Sequence, residues 1–480
     1  MLFIVDNNIN DNPNNKWIVL FTVCLGVMII SLNMSITNVS LPAISEYFTI
    51  SLNQTEWVIT SYFITYVGLV TLFADIGNFK GHGRIFSIGI LLFLISSILC
   101  SISPSIDFLI GSRLLQGLAA SMILAGPLVI IEYYFPTNML GRAMGVYGMM
   151  VAIGLGLGPV VGGLVQDFFG WRAIFLVNIP VCLIVLPLSI KYVQMKINKP
   201  LHVNFLGGFL ELIAVALIIY TLSIVELGDY IKASLYGIIS IILVISFLYV
   251  EKRSDSPMVN WGLLKNFTFT SFNVSFHVLY ICEYVLLYVL PFYTEKILGI
   301  SSSMTGIILS AAPIVMIVFT PISGYIADKI GSILPVVIGF SLSIISFLLL
   351  LTLNEHSTIL ELVVYYTIMG IGIAFAQAPI NKVVMSIVSI NNKTSASSIL
   401  TLFRSMGIAM ASSYGSIILS LSIPEGLLTN TIIRGSGIPE FLTGMDNIFI
   451  FGIILLAVML LLMIRVKIKV KDRKSIIGKL

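Results

Sequence analysis

Fourteen times along this chain, a run of about 20 mostly apolar residues ends at a short polar break. A bilayer core about 30 Å thick is crossed by a helix of that length. Within lipid, a lone strand would leave its backbone polar groups unpaired, whereas a helix pairs them internally. The runs predict helices over 17–39, 56–78, 84–103, 107–131, 141–165, 172–192, 204–224, 233–251, 268–294, 303–326, 333–353, 358–382, 395–420 and 446–466. Composition agrees: 58% of the 480 residues are hydrophobic and 10% are charged, and the mean hydropathy is +1.05. Soluble domains carry about 25% charged residues, so the expected class is an all-α integral membrane protein.

Lys and Arg set the expected orientation. With the N-terminus inside, the cytoplasmic segments collect Lys80, Arg84, Arg142, Lys191, Lys252, Arg253, Lys329, Lys382 and Lys393, together with the basic tail from Arg465 to Lys479. The outer loops hold only Arg172, Lys232, Lys296 and Arg434. Both termini are therefore expected in the cytoplasm. The Asn-rich residues 1–16 lack the basic start and cleavage site of a signal peptide. Cys24, Cys100, Cys182 and Cys282 all lie in apolar runs and form no close-spaced pair, which suits buried small side chains rather than disulfides or metal ligands.

A repeat organises the spans. The loop after the tenth reads Gly324-Tyr-Ile-Ala-Asp328-Lys329-Ile-Gly331, and the loop after the second reads Lys80-Gly81-His82-Gly83-Arg84. Aligned on the last glycine, Lys80 falls opposite Asp328. The two loops occupy equivalent places if the chain is a six-helix bundle over 17–192, two inserted helices over 204–251 and a second six-helix bundle over 268–466. A tail over 1–16 and a basic tail over 467–480 flank this plan. The outer segment 421–445, with Pro424, Gly435, Gly437 and Pro439, is long enough to hold a small element.

Within the fifth span, Gly154, Gly158 and Gly162 recur every four residues, with Pro159 and Gly163 beside them. They line one helix face on which another backbone can approach closely, and Pro159 removes a helical donor. The expected partner is a helix of the opposite bundle, with the run as a hinge.

These residues resemble the major facilitator superfamily, and within it the fourteen-helix drug:proton antiporter branch. Arg113-Leu-Leu-Gln116-Gly117-Leu-Ala-Ala is similar to the family's R-x-x-Q-G-x-x-A motif, and Gly154 to Gly163 to its antiporter motif. Asn38, Leu41 and Pro42, Trp171 to Pro180, and Arg404-Ser-Met-Gly407 are similar as well. The resemblance implies two bundles rocking about a central cavity, and export of small amphipathic or cationic compounds by proton antiport. Two departures stand out: Asn33 replaces the family's first-span acid, and Lys80 stands at its first loop acid.

Charges inside spans are costly and need a reason. Arg113, with Gln116 one turn on, reads either as a cation that holds a proton carrier or substrate, or as a structural arginine bonded to first-helix carbonyls. Burial disfavours a charged carboxylate, which is how a membrane carboxyl comes to exchange protons near neutrality. Glu283, the most central acid, therefore reads as the proton carrier in place of Asn33, or else as a hydrogen-bonded acid in a helix contact. His277 reads as a core histidine. Asp75 with Lys80 or Arg84, and Asp328 with Lys329, are candidates for gating; Arg404 either snorkels or pairs across the bundle. Tyr62, Tyr66, Tyr280, Tyr284, Tyr365 and Tyr366 are candidates for lining a cavity.

No phosphate-binding loop, metal cluster or nucleophile–base pair is present in the sequence. The expectation is a transporter and not an enzyme, with no cofactor and no nucleic acid, driven by a proton gradient. Its partners would be the bilayer, a small solute and protons. It is expected to act as a monomer in the cell membrane. The alternatives are a single-substrate exporter or uncoupled facilitator of the same fold and, from another class, a membrane sensor.

Overall fold

Capping residues and prolines decide where the helices start and stop. Ser105, Asn266 and Ser301 each accept a first-turn backbone N–H through the side chain, and Thr358 with Glu361 closes a reciprocal capping box. Gly126 followed by Pro127 interrupts the fourth span. The computed structural model describes residues 15–50, 52–195, 203–226, 229–254, 257–389, 392–422 and 437–477, and these are helical with short connections.

In the first part of the chain lie α1 (Asn15–Phe48), α2 (Leu52–Lys80), α3 (His82–Ser101), α4 (Ile106–Leu124), α5 (Pro127–Tyr134), α6 (Leu140–Phe169), α7 (Ala173–Leu176) and α8 (Asn178–Tyr192). Then come α9 (Phe205–Glu226), α10 (Tyr230–Arg253) and the short α11 (Trp261–Leu264). Next is α12 (Phe267–Phe292), extended by a π-turn over Tyr293–Ile297. The last part holds α13 (Ser302–Leu309), α14 (Ala311–Ile330), α15 (Ile333–Leu350), α16 (Ile359–Ser386), α17 (Lys393–Ser422) and α18 (Gly437–Ile477).

Among the described residues, 13 stretches are long and apolar enough to cross a membrane. The run expected over 395–420 forms α17 but falls outside that class. Lys393, Arg404 and a series of hydroxyls dilute its apolar character, and α2, α9, α12 and α18 surround it. At the end of the chain, the helix expected over 446–466 starts at Gly437 and runs to Ile477, so it takes in part of both the expected outer segment and the basic tail. The remainder of that outer segment, 423–436, lies outside the described residues, as do 1–14 and 478–480.

Helices α1 to α8 pack on one another through α1–α6, α2–α4, α3–α4 and α3–α8. Helices α12 to α18 do so through α12–α17, α14–α16, α15–α16 and α15–α18. The two sets meet along α6–α14 and α2–α17, while α9 and α10 pair and α9 lies on α2.

Helix α6 carries two glycine faces. Gly154, Gly158 and Gly162 lie against Met28, Ser31, Leu32, Ser35 and Ile36 of α1, and Ser35 Oγ donates to the Gly154 carbonyl at 3.3 Å. The expected partner in the opposite set is therefore corrected: this face is packed within its own bundle. A second face, Gly141, Gly145 and Gly148, meets α14 at Gly324, Pro321 and Thr320. A Cβ at Gly145 would lie 2.8 Å from Pro321 Cα. The seam to the opposite set thus uses glycines N-terminal to the antiporter-like run, together with Gly156 within it, which packs on Pro313 of α14.

Candidate functional site

Arg113 on α4 is 1% exposed and sits inside the first set of helices. Its Nε donates to the Val58 carbonyl at 2.8 Å, and its Nη1 donates to Asn33 Oδ1 at 2.7 Å and to Gln116 Oε1 at 2.5 Å. Gln116 Nε2 donates to Ser97 Oγ, which also accepts from Asn178 Nδ2. The Tyr62 ring lies 4.4 Å beneath the guanidinium. Among the described residues every partner of this cation is neutral, and its backbone acceptor belongs to α2 rather than α1. Asn33 occupies the place where an acid would pair with it.

Both sets line a central constriction. Val27, Ser31 and Met34 of α1, Tyr66 of α2 and Val151 and Leu155 of α6 face Tyr280 and Tyr284 of α12 and Arg404 of α17. The space is about 20 Å³, against several hundred for a typical ligand pocket. Arg404 is the one charged residue among the described residues of the lining. It lies eleven residues into α17, about 16 Å along the helix. Its Nη1 donates to Tyr147 Oη of α6 at 3.1 Å, and its Nε is buried with no protein partner. Of the two sequence readings, it pairs across the bundle. Beside it, Tyr66 Oη and Ser405 Oγ share a 2.6 Å hydrogen bond across the same seam.

Glu283 lies on α12 one turn from Tyr280, 2% exposed, with Oε2 buried and unpartnered. It forms no ion pair with Arg404 or with His277. The His277 ring Nδ1 instead lies 2.8 Å from the Phe403 carbonyl oxygen. Of the other candidate tyrosines, Tyr62 backs Arg113, Tyr366 is buried in α16 and Tyr365 meets Thr352 near a loop.

At the end of the molecule that carries the basic loops, the two sets are clamped together. Asp328, at the foot of α14, accepts from the Gly141 and Arg142 backbone N–H groups at 2.9 and 3.0 Å. These are first-turn donors of α6, where a carboxylate contributes about 0.3 to 2 kcal/mol. Lys382 Nζ lies 2.8 Å from the same carboxylate. On the facing seam, Thr394 at the start of α17 donates to Asn78 Oδ1 and lies 3.1 Å from His82 Nε2. Lys393 and Glu132 form a 2.8 Å ion pair between α17 and α5.

This geometry corrects the loop alignment. Gly81 and Gly331 both follow a helix end, with φ of 92° and 94°, so they are the equivalent pair. Asp328 then corresponds to Asn78, three residues before its glycine, and not to Lys80. Lys80 and Arg84 line a groove between α3 and α8, outside the clamp. Lys329 is exposed near the Tyr325 ring and stands outside the Asp328 ion pair.

Between the clamp and the constriction, a polar patch lies buried at the seam. Gln377 of α16 has neither side-chain polar atom partnered within the protein, and Thr320 Oγ1 and Asn381 Nδ2 are likewise unpartnered. All three are at most 1% exposed, and Gly148 of α6 packs over Thr320 and Gln377. Buried polar groups without partners are rare in stable packing.

The family described as the Major Facilitator Superfamily matches residues 23–412 and 272–478. The chain belongs to this superfamily. Similar proteins include the riboflavin transporter RibZ of Clostridioides difficile, 31% identical over 409 residues that cover 85% of this chain and 89% of that protein. The multidrug resistance protein Stp of Mycobacterium tuberculosis is 28% identical over 80% of this chain and 72% of its own. In fold, this facilitator superfamily chain is similar to the human organic anion transporter MFSD10, with a TM-score of 0.69 at 14% identity over 93% of this chain and 99% of that one. It is thus a multi-pass membrane protein of a transporter family.

Asn78, Thr394, Tyr147 and Gln377 are not singled out by the sequence: the first two meet each other across 316 positions and Tyr147 meets Arg404 across 257, and none of the four carries a motif.

Proposed function

We propose that this chain exports small amphipathic, aromatic compounds by alternating access coupled to proton entry. The observation that carries the reading is the seam itself: a constriction lined from both sets of helices and clamped at one end by polar contacts between them. The lining favours a particular chemistry. Arg404 offers an unpartnered Nε beside Tyr66, Tyr280 and Tyr284, a setting for an aromatic plane that carries a hydrogen-bond acceptor or negative charge rather than for a simple cation. Asp75, Arg84 and Lys329 lie outside this clamp, and the gating role falls to Asp328 with Lys382.

Glu283 is assigned as the proton carrier, because Arg113 is surrounded by neutral groups and Asn33 cannot titrate. The clamped end faces the cytoplasm of the cell membrane, in keeping with the basic loops, and one chain suffices for the cycle. The test is transport into inverted vesicles with and without an imposed pH gradient. Uptake should rise with an acidic lumen, and Glu283→Gln should remove that dependence. Uptake indifferent to the gradient in the unmodified protein would overturn the coupling.

A second reading, a transporter dedicated to one solute, is favoured by Asn33 and by the similarity to a riboflavin transporter. The same vesicles distinguish the two: riboflavin moved at rates at least tenfold above a panel of aromatic dyes supports the dedicated reading.

A further inference from the structure

On the outer flank of the clamp, away from the seam, α3 and α8 enclose a groove of about 500 Å³. Its floor is fixed by a hydrogen bond from Ser87 Oγ to Ser189 Oγ at 2.9 Å. Its walls are apolar and turned outward: Ile88 and Leu91 are each 44% exposed and Ile190 is 60% exposed. One end is shut by the strap Val193–Met195, whose carbonyls lie flush on Gly81 and Gly83 and leave no room for a Cβ there.

Lys80 and Arg84 stand at the mouth of this groove. Arg84 precedes Ile88 and Leu91 by four and seven residues, so the cation and the apolar wall share one helix face. Neither cation has an ion pair or hydrogen bond among the described residues, and no Asp or Glu lines the groove. Two unpaired cations at a helix boundary, above an apolar channel that opens to the bilayer, are complementary to a negative headgroup above an acyl chain.

The geometry points to a binding site for an anionic phospholipid, with its phosphate on Lys80 and Arg84 and an acyl chain along Ile88, Leu91 and Ile190. The occupant is a membrane lipid and not a free anion, because the volume below the cations is walled by aliphatic side chains that a phosphate ion would not use. The site stands independently of what the protein transports.

Native mass spectrometry of the purified full chain, offered equal phosphatidylglycerol and phosphatidylcholine, tests this. The unmodified protein should retain phosphatidylglycerol in preference. Each cation near an anionic surface is worth roughly fivefold in affinity, so K80Q/R84Q should weaken retention about thirtyfold and leave phosphatidylcholine unchanged. R465Q, which removes another cation, should behave as the unmodified protein. If K80Q/R84Q does not fold, Ile88→Trp fills the groove beneath intact cations and should displace the lipid. Equal retention of the two lipids by the unmodified protein, or unweakened phosphatidylglycerol binding in K80Q/R84Q or in Ile88→Trp, overturns the proposal.

Discussion

Arg113 and Arg404 are both buried arginines in a membrane protein, yet their surroundings give them different work. Arg113 is bonded through Nε and Nη1 to a backbone carbonyl and two amides, so it ties α1, α2 and α4 together. Among the described residues, Arg404 has one bond, to Tyr147 across the seam, and an unpartnered Nε. Removing an uncompensated buried charge tends to be neutral or stabilising. Arg404→Gln is therefore expected to cut the initial rate of vesicle transport at least tenfold while leaving the melting temperature unchanged or raised. A fall in melting temperature matching the loss of rate would make the residue structural. The difference between the two arginines was only half legible in the sequence. Each could be placed inside a span, but the acceptors around Arg113 come from positions as distant as Asn33. Tyr147, the partner of Arg404, is 257 positions away from it.

Among the elements, α6 is the one whose reading changed most. The spacing of Gly154, Gly158 and Gly162 showed a close-packing face, but spacing cannot say which helix fills it. The filler is α1, and the seam to α14 uses Gly141, Gly145 and Gly148. Overpacking a tight contact costs about 1–3 kcal/mol, so Gly158→Leu, which would drive into Ser35, should lower folded yield and transport together. Gly145→Leu should instead lower transport while folded yield is kept, because it prises apart a contact that opens during the cycle. Yield and rate for the two variants decide the matter, and equal losses of yield would sink the distinction. The helix-end loops teach a related lesson. Lys80-Gly81-His82-Gly83 offers two glycines, and only the backbone shows that Gly81 is the one with positive φ. An alignment on the other glycine shifts the register by two and hides Asn78. The apolar spans, by contrast, were legible almost throughout, because a membrane imposes length and hydropathy on sequence directly. The polar α17 fits less well, since its neighbours rather than its composition shield it.

At the scale of the whole molecule, the clamp and the buried polar patch describe a closed end that is not at its stability optimum. Both polar atoms of Gln377, Thr320 Oγ1 and Asn381 Nδ2 are buried in this state without protein partners, and a buried polar group left unsatisfied costs about 1–3 kcal/mol. Rocking the two sets apart would wet them, so the patch opposes the clamp and keeps the closed and open forms close in energy. Gln377→Leu should then raise the melting temperature and slow transport at once; a lower melting temperature would show that the patch is not strained. Helix α6 spans both halves of this balance, since Gly148 lies on the moving seam and Gly154 on the fixed one. Six residues separate them, which places the two faces about 120° apart around the helix. The stretch 149–153 therefore serves as a phase setting as well as a contact, since Val151 lines the constriction and Ala152 is buried. It has no latitude in length, because one inserted residue would turn one glycine face about 100° away from its partner while leaving every glycine in the chain.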